Sequence, residues 1–114
     1  MNPWELIAKA IEDHPLVTVQ ELYEQVARGE AVMWTGERSA VLARITDGVC
    51  EIAPAGGDIE EILADARPVL EEWARENGCT EIHIQAGRRG WARVLAPYGY
   101  EEAAVILRKR LLWA

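Results

Sequence analysis

The chain has little cysteine and no long apolar run. Only Cys50 and Cys79 occur in 114 residues, and they lack the CxxC spacing of a zinc site. We interpret both as reduced, buried residues of an intracellular protein. No apolar stretch reaches the roughly 20 residues of a membrane-spanning helix, and the N-terminus lacks the basic region of a secretory signal. The sequence therefore predicts neither a membrane span nor secretion.

Basic residues are also scarce. Twelve Lys and Arg stand against nineteen Asp and Glu, which gives a formal net charge of −7. This charge argues against nucleic acid or an anionic membrane as a partner of the whole domain. The balance is uneven, because residues 1–87 carry −11 and residues 88–114 carry +4. An anionic ligand or partner is therefore expected to bind the C-terminal part.

Phenylalanine is absent, so the aromatic residues of the chain are five tryptophans and three tyrosines. Trp34, Trp73 and Trp91 fall on apolar patterns and are predicted to lie in the core. Trp4 and Trp113 lie near the termini, where we expect a partner surface. With 50% hydrophobic residues, the whole chain is expected to form one domain that buries roughly two thirds of its unfolded surface.

Two helices are predicted before any strand. Asn2-Pro3-Trp4-Glu5 is typical of a helix start, with an N-cap, a first-turn proline and a glutamate that can reach back. This helix is expected to run to about Asp13, before Pro15. Thr18-Val19-Gln20-Glu21 is a capping box for a second helix that ends at Arg28-Gly29.

An antiparallel meander of three strands is predicted next, over residues 31–35, 39–46 and 49–53. Asp47-Gly48 between the last two strands is a strong hairpin signal. We interpret Pro54-Ala55-Gly56-Gly57 as the turn that closes the meander.

The most sustained helical periodicity in the chain follows this turn. It predicts a helix that is capped by Asp58 and ends at Asn77-Gly78, with a kink or break at Pro68. A fourth strand over residues 79–86, parallel to the third, a short helix and a fifth strand over residues 102–112 complete the chain. The order ααβββαβαβ indicates an α+β fold with a mixed sheet.

This order resembles the fold of the GCN5-related N-acetyltransferases (GNAT) without the family's first strand. Residues 91–100, Trp-Ala-Arg-Val-Leu-Ala-Pro-Tyr-Gly-Tyr, are similar to the family's C-terminal helix and the Gly-aromatic step before its last strand. Residues 72–79 and 87–91 are also similar to small GNAT-like proteins encoded among bacteriophage and prophage structural genes. The resemblance therefore implies a GNAT-like domain of the phage or prophage type.

The resemblance also implies where the pyrophosphate of acetyl-CoA would bind. The family uses backbone amides of an Arg/Gln-x-x-Gly-x-Gly/Ala loop and the N-terminus of the following helix. Here that place holds Gly56 and Gly57 without the basic residue of the motif. Asp58, Glu60 and Glu61 follow, and their carboxylates can use the same amides and the same positive helix end as a phosphate.

The family's proton-donating tyrosine lies five residues before the aromatic residue of the Gly-aromatic step. Counted back from Tyr100, that position is Leu95. Leucine cannot transfer a proton. Tyr98 and Tyr100 are displaced from that position, and we expect both to pack with a hydrogen-bonded hydroxyl.

If the protein is an enzyme, Glu51 and His83 are the candidate general bases for an amine, because their strands border the family's substrate cleft. The alternative is that both are solvated polar residues. Cofactor binding would fall to Gly56 and Gly57 together with Arg88 and Arg89, a Gly-bounded basic helix start that could hold a phosphate. A solvated basic face is the alternative for the two arginines.

The remaining basic residues of the C-terminal part are candidate partner-binding residues. They are Arg93, Arg108 and Arg110, together with Trp113. The run from Arg108 to Arg110 lies in the predicted last strand, where its charges could protect an edge or form a docking strand.

These observations support three functional hypotheses. The first is a GNAT-like protein of the phage or prophage type whose acetyl-CoA site is degenerate. It would use no cofactor or metal and act through a protein partner or self-assembly, in a virion or against a host protein in the bacterial cytoplasm. The second is an active N-acetyltransferase that uses acetyl-CoA. The third is a small acidic inhibitor of a nucleic-acid-binding protein.

Overall fold

A mixed four-stranded sheet separates two layers of helices in the computed structural model. The structure describes residues 2–12, 17–85, 90–103, 107, 109 and 111. The strands are β1 (Val32–Thr35), β2 (Ser39–Thr46), β3 (Val49–Gly57) and β4 (Glu81–Ile84). The helices are α1 (Pro3–Ala10), α2 (Val19–Ala27), α3 (Ile59–Glu61), α4 (Arg67–Glu76) and α5 (Gly90–Leu95). A π-helical turn (Ile62–Ala66) joins α3 to α4, and a 3-10 turn (Ala96–Tyr98) follows α5.

The sheet has the order β1-β2-β3-β4. The first three strands are antiparallel neighbours, and β4 is parallel to β3. The crossover between these two parallel strands is the helical segment of residues 59–76, which we call the crossover segment. The predicted α+β class, the meander and the parallel fourth strand are thus confirmed.

The N-caps predicted for the first two helices are confirmed. The Asn2 Oδ1 atom accepts a hydrogen bond from Glu5 N at 2.9 Å, and Thr18 Oγ1 accepts one from Glu21 N at 3.1 Å. Each side chain satisfies a backbone donor that has no partner within its helix. Helix α1 ends at Ala10, earlier than predicted, and the predicted stop near residues 13–15 lies outside the described residues.

The third strand is longer than predicted. The expectation of a turn at residues 54–57 is wrong, because β3 continues to Gly57. Its register with β2 shifts between Val41 and Ala43, after which Gly56 pairs with Ala40 and Gly57 with Ser39. Such a bulge inserts a residue into one strand and restores pairing beyond it. Pairing with β2 thus overrides the local turn preference of proline and glycine.

Two other strand predictions need correction. The fourth strand covers only Glu81–Ile84, so Cys79 precedes it. Of the predicted fifth strand, the described residues 102, 103, 107, 109 and 111 lie in no strand. The other residues of that prediction lie outside the part of the chain that the structure describes.

Pro68 interrupts the crossover segment, as predicted. It stands at the start of α4, and the π-helical turn lies directly before it. Proline has no N–H to donate and its ring collides with the carbonyl four residues earlier, so a regular α-helix cannot pass through it. In the π turn, Arg67 N donates to Ile62 O, one residue further back than in an α-helix.

The core consists of one apolar cluster on each face of the sheet. The crossover segment packs Ile62, Ala66, Leu70 and Ala74 on one face, and Trp34, Trp73 and Trp91 lie partly buried against this cluster. On the other face, α1 and α2 pack Ile7, Ile11 and Leu22. Trp4, which we expected on a partner surface, packs against this second cluster, with its ring centroid 5.4 Å from that of Tyr23.

Both cysteines are free thiols, as predicted, but the full burial predicted for Cys79 is wrong, because Cys79 is only partly buried. Cys50 is fully buried in β3. Burial raises the pKa of the Cys50 thiol to about 11, because the thiolate would lose its hydration. The thiol is therefore protonated at neutral pH and fills space as a small apolar residue.

Substitution of Gly56 tests the close contact between α1 and β3. A Cβ atom at Gly56 would collide with the backbone carbonyl oxygen of Leu6, whereas one at Gly90 would meet nothing within 4 Å. We expect Gly56→Ala to lower the free energy of unfolding by about 1–3 kcal/mol, since the neighbouring atom is backbone and cannot rotate away. Gly90→Ala is the control and should leave stability unchanged or raise it slightly. Urea unfolding measures both, and equal effects would contradict the tight contact.

Candidate functional site

A cavity lies where β3 and β4 stop pairing. The parallel ladder runs only from Val49↔Glu81 to Ile52↔Ile84. Beyond Ile52, the β3 residues Ala55, Gly56 and Gly57 pair with β2 alone. The cavity at this point has a volume of about 80 Å³, and its lining includes Val41, Ile52, Ala55, Ile62, Leu70, Ile84, Trp91 and Leu95. Ligands of open sheets commonly bind outside the carboxyl ends of parallel strands, which makes this cavity the candidate site.

The volume limits what the cavity can hold. An apolar cavity of about 150 Å³ accepts a benzene molecule, and a single water needs about 10–15 Å³ on a comparable measure. A cavity of about 80 Å³ therefore suits a short acyl group of a few heavy atoms. Leu95 is buried in its wall, so the residue at the family's proton-donor position contributes only apolar surface.

Polar side chains gather on one side of this cavity. Arg67 and Tyr100 belong to its lining, and Glu71 joins them. Arg67 Nη1 donates to Glu71 Oε1 at 2.8 Å, and the Tyr100 hydroxyl donates to Glu71 Oε2 at 2.8 Å. The two oxygens of one carboxylate thus hold a cation and a phenol together, which fixes the position of both.

The π turn explains why Arg67 points in this direction. In an α-helix the carbonyl of Leu63 would accept from Arg67 N, but that N–H donates to Ile62 O instead. The next residue that could donate in the π pattern is Pro68, which has no N–H. The side chain of Arg67 supplies the missing donor, since its Nε donates to Leu63 O at 3.1 Å. Proline at this position therefore leads to an arginine anchored beside the cavity.

The two tyrosines of this region have different environments. Burial and the bond to Glu71 raise the pKa of the Tyr100 hydroxyl well above its ordinary value, so it remains protonated at neutral pH. The packed, hydrogen-bonded role predicted for Tyr100 is confirmed. The packing predicted for Tyr98 is wrong, because this residue is 45% exposed. Its ring instead contacts Arg67, whose guanidinium carbon lies 3.9 Å from the ring centroid in a cation–π contact.

The helix end that follows β3 is closed by the chain's own carboxylates. Asp58 Oδ1 accepts from Glu60 N at 2.9 Å and from Glu61 N at 3.2 Å. Asp58 O accepts from Ile62 N, and Asp58 N donates to Arg38 O. The amides of Glu60, Glu61 and Ile62 are thus already hydrogen-bonded to Asp58. This agrees with the capping role predicted for Asp58.

Glu61 is buried at this helix end and is only 6% exposed. Its Oε1 accepts from the Ser39 hydroxyl and, at 3.0 Å, from Arg38 N. The Ser39 hydrogen bond, together with Arg38, holds the pKa of the Glu61 carboxyl below its ordinary value. Gly36 must be glycine for this arrangement, because a Cβ there would collide with the Glu61 carboxylate.

The local sequence before Gly56 has no basic residue, but the fold brings one to this place, which is Arg38. It arrives from the turn between β1 and β2 and donates from Nε to Asp58 Oδ2 at 2.9 Å. This bond holds the pKa of the Asp58 carboxyl below its ordinary value. No local signal could have linked these residues, since Arg38 and Ser39 lie about twenty positions before the carboxylates that they bind.

Gly56 and Gly57 do not form a loop. Both lie in β3 and pair with Ala40 and Ser39 of β2. A Cβ on either residue would collide with backbone, of Leu6 in one case and of Arg38 in the other. The two glycines therefore serve close packing between backbone segments here.

Glu51 and His83 are direct neighbours in the parallel ladder. They project from the sheet face opposite to Cys50 and Ile52, which belong to the cluster beside the cavity. Glu51 Oε2 lies 3.2 Å from Arg44 Nε, and His83 Nε2 lies 3.1 Å from Glu81 Oε1. The structure thus brings the two candidate bases together but away from the cavity, and their catalytic role stays a prediction.

Other predicted site residues are described only in part. Arg93 is exposed on α5. Arg88, Arg89, Arg108, Arg110 and Trp113 lie outside the described residues, so their roles stay predictions. Within residues 2–12, 17–85 and 90–103, no three His, Cys, Asp or Glu side chains are grouped as metal ligands. No helix in the described part of the chain has the length and apolar character to cross a membrane.

Comparison with known proteins supports the fold at the level of structure. An acetyltransferase of Trypanosoma brucei superposes with a TM-score of 0.65 at 17% identity, over 95% of this chain and 89% of that one. Aminoglycoside 6'-N-acetyltransferase of Acinetobacter haemolyticus gives 0.63 at 12% identity, over 96% and 92%. An aminoglycoside N-acetyltransferase bound to a CoA-based bisubstrate analogue gives 0.68 at 12% identity, over 96% and 89%.

The chain has a GNAT-like fold. At these identities the similarity concerns the fold alone. No protein-family model matches the chain. No curated protein matches it either. The GNAT-like domain has a cavity beside its two parallel strands, and the Asp58 carboxylate caps the helix that follows β3.

Glu61 should make stability depend on acid pH. Its pKa is lowered in the folded protein, so the unfolded chain takes up the proton first as pH falls, and the stabilisation present above the ordinary pKa of about 4.3 is lost below it. We expect the free energy of unfolding to fall less steeply below about pH 4.5 in Glu61→Gln than in the wild type. The exposed neighbour provides the control, because Glu60→Gln should keep the wild-type slope. Equal slopes in all three proteins, measured by urea unfolding from about pH 3 to 7, would exclude this role.

A pair of tyrosine substitutions tests the cluster beside the cavity. Tyr100→Phe removes the hydroxyl that donates to Glu71, and we expect it to lower the free energy of unfolding by about 1 kcal/mol. Tyr98→Phe keeps the ring that contacts Arg67 and should change stability little. Thermal and urea unfolding measure both variants. If Tyr98→Phe proved the more damaging of the two, this hydrogen-bond assignment would be wrong.

Proposed function

We propose that this GNAT-like protein does not bind acetyl-CoA in the manner of the family and acts through contacts with other proteins. One observation carries this proposal: the helix end where the family holds the pyrophosphate is closed by Asp58 and Glu61. Asp58 caps the amides of Glu60 and Glu61. Glu61 is buried with Ser39 and Arg38 as its partners.

A pyrophosphate would have to replace these interactions rather than add to them. A helix end binds anions through free N–H groups and its positive dipole, and both already serve the Asp58 carboxylate. Like charges at hydrogen-bond distance repel, so the phosphate would also meet the charges of Asp58 and Glu60. Arg38 offers little compensation, since its Nε donates to Asp58 and its Nη2 lies 3.8 Å from Glu61 Oε2.

The phage or prophage type and the virion or host setting belong to this proposal. They rest on the similarity of residues 72–79 and 87–91 to small proteins encoded among phage structural genes. A protein partner fits a scaffold whose cofactor position is closed. The basic residues Arg93, Arg108 and Arg110, with Trp113, are the proposed contact residues for an acidic partner surface.

A second function, transfer of an acetyl group from acetyl-CoA to an amine, is supported by a different observation. The cavity of about 80 Å³ suits an acyl group, and the Tyr100 hydroxyl beside it is held protonated. In this reaction the amine nitrogen attacks the thioester carbonyl, the C–S bond breaks, and Tyr100 would protonate the departing thiolate. CoA would then need a different pose, with Arg88 or Arg89 on a phosphate. Glu51 and His83 face the other side of the sheet from the cavity, so the attacking amine would lose its proton to water.

Titration with acetyl-CoA and CoA separates the two proposals. We expect no saturable binding to the wild type up to about 1 mM, which corresponds to no more than about 4 kcal/mol of binding free energy. Calorimetry and thermal shift at low and moderate salt give the measurement. Micromolar binding would overturn the proposal of a closed site and favour the acetyltransferase.

A variant of the helix end makes this experiment sharper. Asp58→Ser combined with Glu60→Ser removes two carboxylates but keeps an N-cap hydroxyl, so the helix should still form. If the carboxylates exclude the phosphate, this variant should bind CoA more tightly than the wild type. Glu72→Ser combined with Glu76→Ser removes the same charge from the far end of the crossover segment and is the control. An equal gain in the control would indicate a general charge effect.

A further inference from the structure

Residues 90–100 lie across one side of the cavity, and we call this segment the strap. It comprises α5, the 3-10 turn and the two residues that follow. Three of its side chains, those of Trp91, Leu95 and Tyr100, belong to the cavity wall. The other wall residues belong to the sheet, to Gln85 next to β4 and to the crossover segment. Displacement of the strap would therefore uncover the cavity without dismantling the rest of its wall.

The strap is packed more lightly than the elements that it covers. Leu95 is buried, but every other residue of the strap is exposed or only partly buried. The crossover segment, by contrast, buries four apolar side chains against the sheet. Segments with few buried apolar contacts open at a lower free-energy cost than the core of a protein. Local opening of the strap is thus expected to be easier than global unfolding.

Side-chain contacts fasten the strap to the crossover segment. Between described residues, the hydrogen bond from the Tyr100 hydroxyl to Glu71 Oε2, at 2.8 Å, is the only one that joins the strap to the rest of the chain. The Arg67 guanidinium adds a cation–π contact with the Tyr98 ring. The backbone hydrogen bonds of Gly99 and Tyr100 stay within the strap. Release of the strap therefore leaves the backbone hydrogen bonds of the sheet intact.

The carboxylate that holds the strap has a second partner. Arg67 Nη1 donates to Glu71 Oε1 at 2.8 Å, and Arg67 Nε donates to Leu63 O, so this support lies entirely on the crossover segment. When the strap leaves, Glu71 keeps its cation and the Tyr100 hydroxyl gains water. Opening is costly where a buried charge loses its only partner, and that loss does not occur here.

We propose that the strap opens as a unit while the sheet and the crossover segment stay folded, and that this opening uncovers the cavity. The bond between Tyr100 and Glu71 is the fastening that controls the open fraction. The proposal goes beyond the function proposed above and does not depend on it. The CoA titration tests the helix end at Asp58, whereas the strap is tested by the exchange of its own amides.

Backbone hydrogen exchange of the full chain, followed by NMR at urea concentrations below the unfolding transition, tests the strap. We expect the amides of Leu95 and Gly99 to exchange with little dependence on urea, since local opening exposes little surface. The amides of the β2–β3 ladder need global unfolding, so their exchange should accelerate steeply with urea. Equal urea dependence of the two groups would overturn the proposal.

A substitution in the fastening gives one expected pattern. Tyr100→Phe removes a bond that is broken both in the open strap and in the unfolded chain. It should therefore accelerate the exchange of the strap amides and of the ladder amides alike, by about fivefold. Unchanged exchange of Leu95 and Gly99 in this variant would show that the bond does not fasten the strap.

Substitutions outside the strap give the opposite pattern. Gly56→Ala disturbs the contact between α1 and β3, which stays formed when the strap opens. It should accelerate exchange of the ladder amides at least about fivefold and leave Leu95 and Gly99 unchanged. Ile7→Val, a milder change in the core on the other face of the sheet, should give the same pattern to a smaller extent. Equal acceleration of both groups of amides in either variant would show that the strap does not open separately.

Discussion

The burial of the Glu61 carboxylate at the junction of the sheet and the crossover segment is the constraint on which the rest of the structure depends. A buried charge must be hydrogen-bonded, and Glu61 obtains its partners from Ser39 and from the backbone and side chain of Arg38. These residues lie at the start of β2, so the carboxylate joins the meander to the helix that follows it. The same contact requires glycine at position 36 and brings the Arg38 side chain onto Asp58.

The start of the crossover segment and the π turn within it therefore differ in chemical character. At the start of the segment, the Asp58 side chain accepts from the amides of Glu60 and Glu61 and meets the positive helix end that an anion would use. Further along, the π turn before Pro68 leaves a small cavity with Arg67, Glu71 and Tyr100 arranged beside it. The GNAT-like scaffold thus has a small apolar cavity beside its parallel strands and a helix start capped by its own carboxylate. In the function proposed above, the protein acts through contacts with other proteins.

Sequence patterns predicted the elements whose cause is local. Asn2 and Thr18 cap their helices because a short polar side chain can reach an amide within three residues. Asp47-Gly48 forms its hairpin because both residues adopt positive φ angles. Pro68 disturbs its helix through its missing N–H and its ring, which no distant contact can replace. The parallel β4 followed from a helix that buries one stripe against the sheet.

The sequence by itself thus determined the order of elements, the α+β class and the acidic helix start, because each depends on residues within a few positions of one another. Only the tertiary structure decided that Gly56 and Gly57 are strand rather than turn, since a bulge in the β2–β3 pairing controls them. It also decided that Arg38 and Ser39 meet Glu61, and that Tyr100 meets Glu71, across separations of 22 to 29 residues. Contacts at such distances depend on how the whole sheet and its helices pack, and no local spacing records them.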